Sequence, residues 1–300
     1  MIWKLPIFGK ISKIGIIPPM PAPDRDGVAI AAILRDEERY VGEWAEFHAR
    51  AGVSRFLIYD NGSEDDTVGV LRQTLGVERL TIIPWAQVFW DARMRREIHN
   101  QVLAYAHAAR NFGALFRWMA FIDVDEFLVP KQANSLPDAL AHLADRRSIS
   151  LPWHMFGRSG HVAPPPGGVV KNYLTRAADP MSDLRGVRAF KCIVDPCHLT
   201  ALRVHSMDVG GSEMSCNDRG ETASAADRDK PSFYSADHIQ LNHYYTRSEE
   251  ELASKVGRGP NLRAKMGDYE RKVRRTVANI ERDIVEDRAA LAYLDRIQAS

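Results

Sequence analysis

Trp118-Met119-Ala120-Phe121-Ile122-Asp123-Val124-Asp125-Glu126-Phe127-Leu128-Val129-Pro130 is an apolar run interrupted by one acidic cluster. Apolar residues in continuous succession, not in alternation, suit a strand covered on both faces. A strand is therefore predicted over 118–122, ending at the acidic pair. One residue between Asp123 and Asp125, in an extended turn, lets both carboxylates approach a single ion or its water shell. Hard oxygen ligands of this kind select Mg2+ or Mn2+. Asp-x-Asp recurs at Asp24/Asp26 and Asp227/Asp229, but in polar, Arg-rich surroundings, where it reads as solvated loop charge.

Outward from this segment the same logic places strands over 28–34, 56–59, 80–83 and 148–151. Helices are expected from about 35 to Gly52, over 66–75, 93–110 and 136–144. Strands alternating with helices imply a largely parallel sheet with helices on both faces, and such sheets bind ligands at their strand carboxyl ends. Arg35-Asp36, Asp60-Asn61 and Asp123/Asp125 all fall at such ends. After residue 152 the texture changes. Short strands are expected over 190–194, 202–205 and 239–245, and the polar stretch 210–235 reads as a mobile loop. Ser248-x-x-Glu251 is a capping box that opens a helix closed by 258–260, and 269–297 is amphipathic and helical. The organisation expected is a leader (1–27), a ligand-binding α/β half (28–151), a second half of the same domain completing the metal and acceptor side (152–262), and C-terminal helices (263–300).

The 300 residues are 45% hydrophobic and 26% charged with formal net charge +1, which gives no global field to attract nucleic acid. Three cysteines cannot all pair, and Cys192-x4-Cys197-His198 lacks a second ligand pair at zinc spacing. Reduced thiols are expected, which fits a cytoplasmic setting. Residues 1–20 hold no run near the roughly 20 apolar residues of a membrane span. Their apolar, Lys-containing composition suits either a strapped-down leader or peripheral contact with the inner face of an anionic membrane.

Ile122-Asp123-Val124-Asp125-Glu126-Phe127, with Trp118 before it and Pro130 after, resembles the metal-binding signature of glycosyltransferase family 92 and its family-2-like bacterial relatives. Four more blocks are similar and in order: Ala32-Ile33-Leu34-Arg35-Asp36-Glu37; Tyr59-Asp60-Asn61-Gly62-Ser63-Glu64-Asp65; Trp153-x-x-Phe156-Gly157-x-Ser159-Gly160-His161; and Asn242-His243-Tyr244-Tyr245-Thr246-Arg247-Ser248 followed by Lys255-x-x-Arg258-Gly259. The resemblance implies a GT-A type, Rossmann-like fold, a UDP-sugar donor, Mn2+ dependence (or Mg2+) and inversion at the anomeric carbon. It implies that Asp36 and Asp60, with Asn61 beside them, hold the uridine and that Arg35 lies near base or phosphate. Asp123 would contact ribose or metal, and Asp125 would ligate the metal. Arg35-Asp36 stands where relatives often carry Lys-Asn. A glycan or lipid-linked molecule is the acceptor expected.

Among the histidines, His243 is the preferred third metal ligand, ahead of His205 and His161, since imidazole suits Mn2+. Lys255 and Arg258, three apart on one helix face, are expected to close over the diphosphate. An inverting transfer needs a general base, for which Glu213 and Asp208 are the candidates. Trp153, Phe156 and His161 are candidate acceptor contacts, and Trp85, Phe89 and Trp90 are expected to border the pocket. A non-catalytic sugar- or nucleotide-binding module is the alternative. A phosphatase of the haloacid-dehalogenase type is weaker, since Phe127 stands where that chemistry wants Thr or Val. No Gly-x-Gly-x-x-Gly follows the first strand, which disfavours a dehydrogenase.

Overall fold

The computed structural model describes residues 9–258 and 266–299; the side chains of Arg258 and Met266 lie outside that description. Val28–Leu34 forms β1, Val53–Asp60 β2, Leu80–Pro84 β3 and Trp118–Phe121 β4. Glu38–Arg50 (α1), Thr67–Arg79 (α2) and Asn100–Phe112 (α3) connect them. The four strands are parallel in the spatial order β3-β2-β1-β4. Their near-continuous apolar sequence has a direct cause. Ile30, Ala32, Phe56 and Ile58 pack with Val41, Trp44 and Phe47 of α1 on one face. Ala29, Ala31, Leu57 and Tyr59 pack with Val102, Tyr105 and Ala109 of α3 on the other. Gly52, at φ 85°, ends the first crossover in the left-handed region that glycine enters freely.

Beyond β4 the sheet becomes mixed. Glu126–Pro130 (β5) is followed by a short helix, Leu136–Leu140 (α4), then Ser148–Met155 (β6), Phe190–Val194 (β7), Ser215–Cys216 (β8), Thr222–Ala223 (β9) and Ile239–His243 (β10). β7 lies antiparallel between β4 and β6. β10 is antiparallel to β5 and parallel to the last residues of β6. The seam expected near residue 152 falls inside β6, where its partner changes from β7 (up to Pro152) to β10 (from Trp153). Among the described residues three helices follow β10: Glu249–Arg258 (α5), Met266–Ile280 (α6) and Ala289–Gln298 (α7).

Two sequence expectations are corrected. The helix expected over 93–110 begins only at Asn100, because Trp90–Asp91 and Arg96–Glu97 pair as a hairpin. Its turn is held by Asp91 Oδ1 accepting from Met94 N at 2.5 Å, a local bond that competes with helix. The 210–235 stretch is ordered, not a mobile loop, and side chains within it bond backbone groups of the fold. Asp218 Oδ2 accepts from His238 N (2.7 Å) and Ile239 N (3.0 Å), and Asn217 Oδ1 accepts from Arg219 N and Glu221 N. The leader is strapped down where described: Ile14–Gly15 adds to Leu199–Leu202, which pairs with Met207–Val209. All three cysteines are free and buried.

Candidate functional site

The sheet register assembles the site. Leu34 lies opposite Asp60 and Ala31 opposite Phe121, so the chain leaves β1, β2 and β4 at one rim. At that rim Ser63 bridges two of the expected donor residues. Its Oγ donates to Asp60 Oδ1 (2.7 Å) and accepts from Asp36 N (3.1 Å), while Asp36 Oδ1 accepts from Glu64 N (2.8 Å). Asn61 Oδ1 accepts from Asn100 Nδ2 (3.0 Å) at the start of α3. Arg35 pairs with Asp36 and Glu64 and is half exposed.

The acidic cluster sits between β4 and β5 and divides into two parts. Asp123 is anchored through both oxygens: Lys191 Nζ donates to its Oδ2 (2.8 Å) and Gln101 Nε2 to its Oδ1 (2.6 Å). Its backbone N–H donates to Glu126 Oε2 (2.8 Å). Lys191, 1% exposed, also lies 3.6 Å from the fully buried Glu126. Burial works against the Lys191 charge, but Asp123 and Glu126 hold its pKa well above the ordinary lysine value. Burial pushes the Glu126 carboxyl up to about 7, with Lys191 pulling the other way.

Asp125 faces a different set of groups. β10 is registered so that His243 stands opposite Glu126, and Tyr244 N donates to Asp125 O (2.9 Å). His243 Nε2 lies 3.4 Å from Asp125 Oδ2, and Lys255 Nζ lies 3.9 Å from the same oxygen. Burial disfavours the Asp125 carboxylate, but His243, Lys255 and Arg247 overcome it and hold its pKa well below the usual range. Asp125 opens onto a cleft of about 300 Å³ lined also by Asp36, Tyr40, Tyr245, Arg247 and Lys255. Arg247 lies over the Tyr40 ring (4.3 Å) and donates to Glu37 Oε2 (3.1 Å). Asp36 and Arg247 both hold positive φ (53° each), an uncommon state for non-glycine residues that concentrates at functional sites.

The metal test turns on Asp125 and His243. Among the described residues no group of three His, Cys, Asp or Glu side chains converges as a ready-made cage. A divalent ion that carries substrate phosphates commonly takes only one or two protein ligands. Asp125 Oδ2 supplies one oxygen on the cleft, and the buried His243 Nε2, 3.4 Å behind it, supplies one imidazole nitrogen. His243 Nδ1 and Glu126 Oε1, 3.9 Å apart behind them, are buried without a hydrogen-bond partner. This donor set fits Mn2+ or Mg2+ completed by a diphosphate. Asp123 fits less well as a ligand, because both of its oxygens are already engaged.

Other expected residues are placed elsewhere. Phe156 is buried against Tyr244 (4.6 Å between ring centroids) and presents no face to an acceptor. His161 bonds Asn172 O through Nε2 (3.0 Å) and packs on Tyr173, a structural role. Trp153 packs edge-to-face with His243 (4.4 Å between ring centroids) and His205 (5.2 Å), beside the acidic cluster. Asp208 is bound by Lys13 (2.7 Å) and Arg203 (2.9 Å), and Glu213 pairs with the same two cations. Neither lines the cleft, and carboxylates so committed are poorly disposed to take an acceptor proton; the expectation that one is the base is withdrawn. Lys255 donates to Tyr245 O (2.9 Å) and lies over the Tyr245 ring, while the Arg258 side chain falls outside the described residues. Trp85 is buried at the root of the 90–97 hairpin; Phe89 and Trp90 are exposed on it and do not line the cleft. Sequence reading missed Lys191, Gln101 and Tyr105. The available signal was a lone lysine inside the apolar run Phe190-Lys191-Cys192-Ile193-Val194.

The sequence pattern of Glycosyltransferase family 92 matches residues 27–276. Curated relatives include family 92 proteins of Oryza sativa subsp. japonica, 31% identical over 160 residues (51% of this chain, 25% of the relative), and of Ricinus communis, 30% identical over 156 residues (50% and 26%). One from Arabidopsis thaliana is 27% identical over 168 residues (51% and 27%). The matched segment thus spans about a quarter of each relative. Among solved structures, S. aureus TarS in complex with UDP-GlcNAc superposes with TM-score 0.34 at 16% identity over 57% of this chain and 45% of that one. Glucosyl-3-phosphoglycerate synthase from Mycobacterium tuberculosis with Mn2+, UDP-glucose and phosphoglyceric acid gives TM-score 0.31 at 15% identity over 57% of each chain. Superpositions this loose carry no argument about the site.

Proposed function

The chain belongs to glycosyltransferase family 92, and from that membership we propose that it transfers a sugar from a UDP-sugar donor to a glycan or lipid-linked acceptor, with inversion and with Mn2+ or Mg2+ held at Asp125. The observation that carries this reading is Asp125, backed by the buried His243, on a cleft that also presents Lys255 and Arg247. In such a transfer the bond from the anomeric carbon to the β-phosphate oxygen breaks while the acceptor oxygen attacks from the opposite face. The acceptor hydroxyl gives up its proton to solvent, and UDP departs with the negative charge. A divalent ion at Asp125 and His243 supplies a fixed positive charge for that leaving group.

The chain's own residues do the rest. Lys255 and Arg247 set two cations in the cleft between Asp125 and the Asp36–Ser63–Asp60 rim, which would take the uridine. Lys191, Gln101 and the turn bond from Asp123 N to Glu126 fix the acidic segment, so that Asp125 needs little rearrangement on donor binding. Trp153, packed on His243, restrains the imidazole ring.

A donor panel assayed by UDP release with Mn2+ tests the reading. Turnover is expected with at least one UDP-sugar, abolished by chelation and reduced on the order of 10²-fold or more in Asp125→Asn. UDP binding without turnover across a broad acceptor panel would instead mark a non-catalytic module.

A further inference from the structure

The hairpin between β3 and α3 carries exposed apolar side chains, from its approach through its first strand to its turn, that the reaction described above does not use. Val88 is 75% exposed, Phe89 43%, Trp90 39% and Met94 55%, all within seven residues. Such a cluster on a soluble surface marks an interaction site. It stands on a firm base. Ile11 N donates to Glu97 O (2.8 Å), His99 N to Ile11 O (2.9 Å), and Arg96 reaches Gly9 O (2.6 Å) and Lys10 O (2.9 Å). The leader and the hairpin thus form one small hydrogen-bonded unit that presents the apolar side chains outward.

The charge around these side chains narrows the partner. Arg93 and Arg95 are exposed and have no carboxylate partner among the described residues. Of the two nearby acids, Glu97 is paired with Lys10 and Asp91 caps the turn at Met94 N. Aliphatic side chains, a tryptophan and arginines, with the acids internally engaged, suit the headgroup boundary of an anionic bilayer. The sequence that joins the fold at Gly9, at the hairpin root, is Met1-Ile2-Trp3-Lys4-Leu5-Pro6-Ile7-Phe8, apolar apart from one lysine.

We propose that the 88–95 segment of this hairpin docks this protein on an anionic lipid surface. This goes beyond the glycosyltransfer reading and does not depend on it. The root of the hairpin meets the donor rim through Asn100, which bonds both Asn61 Oδ1 and Trp85 O, so docking would bring that rim to the bilayer.

Co-sedimentation of the full chain with phosphatidylcholine vesicles, with and without phosphatidylglycerol, tests the proposal. Wild type is expected to pellet with the anionic vesicles, less so as salt is raised, and to stay in solution with phosphatidylcholine alone. An arginine near an anionic surface strengthens partition by about fivefold, so Arg93→Glu with Arg95→Glu should weaken it on the order of 30-fold or more. Phe89→Ser with Trp90→Ser should weaken it about tenfold or more. Both double variants should melt as wild type does. Quenching of tryptophan fluorescence by brominated phosphatidylglycerol, diminished in Trp90→Phe, reads the same contact without disturbing the hairpin. The proposal is overturned if wild type stays in solution with anionic vesicles, or if both double variants and Trp90→Phe behave as wild type. It is also overturned if light scattering shows a dimer that these changes dissolve, since a second copy would then cover the segment.

Discussion

Lys191 shows how much one residue carries here. It is a cation within a strand of otherwise apolar residues, 2.8 Å from Asp123 and 3.6 Å from Glu126, with almost no exposure. Removing one partner of such a buried group leaves uncompensated charge and costs about 3–5 kcal/mol. Lys191→Met should therefore lower stability by about that much in denaturant titration, and adding Asp123→Asn should restore a good part of it. A silent single variant would show that the pair does not hold the acidic loop. His243, by contrast, was legible from its motif, but its neighbours were not. That it stands opposite Glu126 follows from strand register, which no local pattern reveals.

Among the elements, α5 shows sequence and structure in closest agreement. Ser248 Oγ accepts from Glu251 N (3.3 Å), and Glu251 Oε2 accepts from Ser248 N (3.0 Å), the reciprocal capping box read from Ser-x-x-Glu. This helix places Lys255 beside Asp125. Ser248→Ala is expected to cost about 1 kcal/mol in thermal or chemical unfolding and to weaken UDP binding a few-fold; unchanged UDP affinity would detach the cap from the site. The strands β1 to β4 were legible because helices cover both their faces, so they must be apolar throughout. The 90–97 hairpin was not, since its apolar spacing mimics a helix and only the Asp91 turn and pairing with the leader decide against one. Order over 210–235 was missed for a related reason: it rests on polar residues bonding backbone groups distant in sequence, as Asp218 does with His238 and Ile239.

The two largest cores among the described residues are divided by one sheet, and a histidine is sealed into the first. His48 bridges α1 and β5 in its neutral form: Nε2 accepts from Leu128 N (3.1 Å) and Nδ1–H donates to Trp44 O (2.8 Å). Burial pushes its pKa down to about 4. Between pH 6.5 and 4 the unfolded chain binds this proton and the folded one does not, so stability rises with pH across that window and is lost as pH falls through it. The drop from this group is up to about 3 kcal/mol, and His154, pushed down to about 3 by burial, adds in the same direction. Unfolding titrations at pH 7 and 4.5 should show the decline, and His48→Gln should flatten it; an equally steep decline in that variant would assign the effect elsewhere. The same two-sided sheet brings Asp36, Asp60 and Asp125 to one rim, and the account depends on a divalent ion joining a diphosphate to Asp125 there. Isothermal titration of UDP into the full chain, with and without Mn2+, for wild type and Asp125→Asn, tests this most directly. Wild type should bind UDP strongly only with Mn2+, and Asp125→Asn should lose that dependence along with most of the affinity. UDP binding that is indifferent to Mn2+, or unaltered in Asp125→Asn, would contradict it.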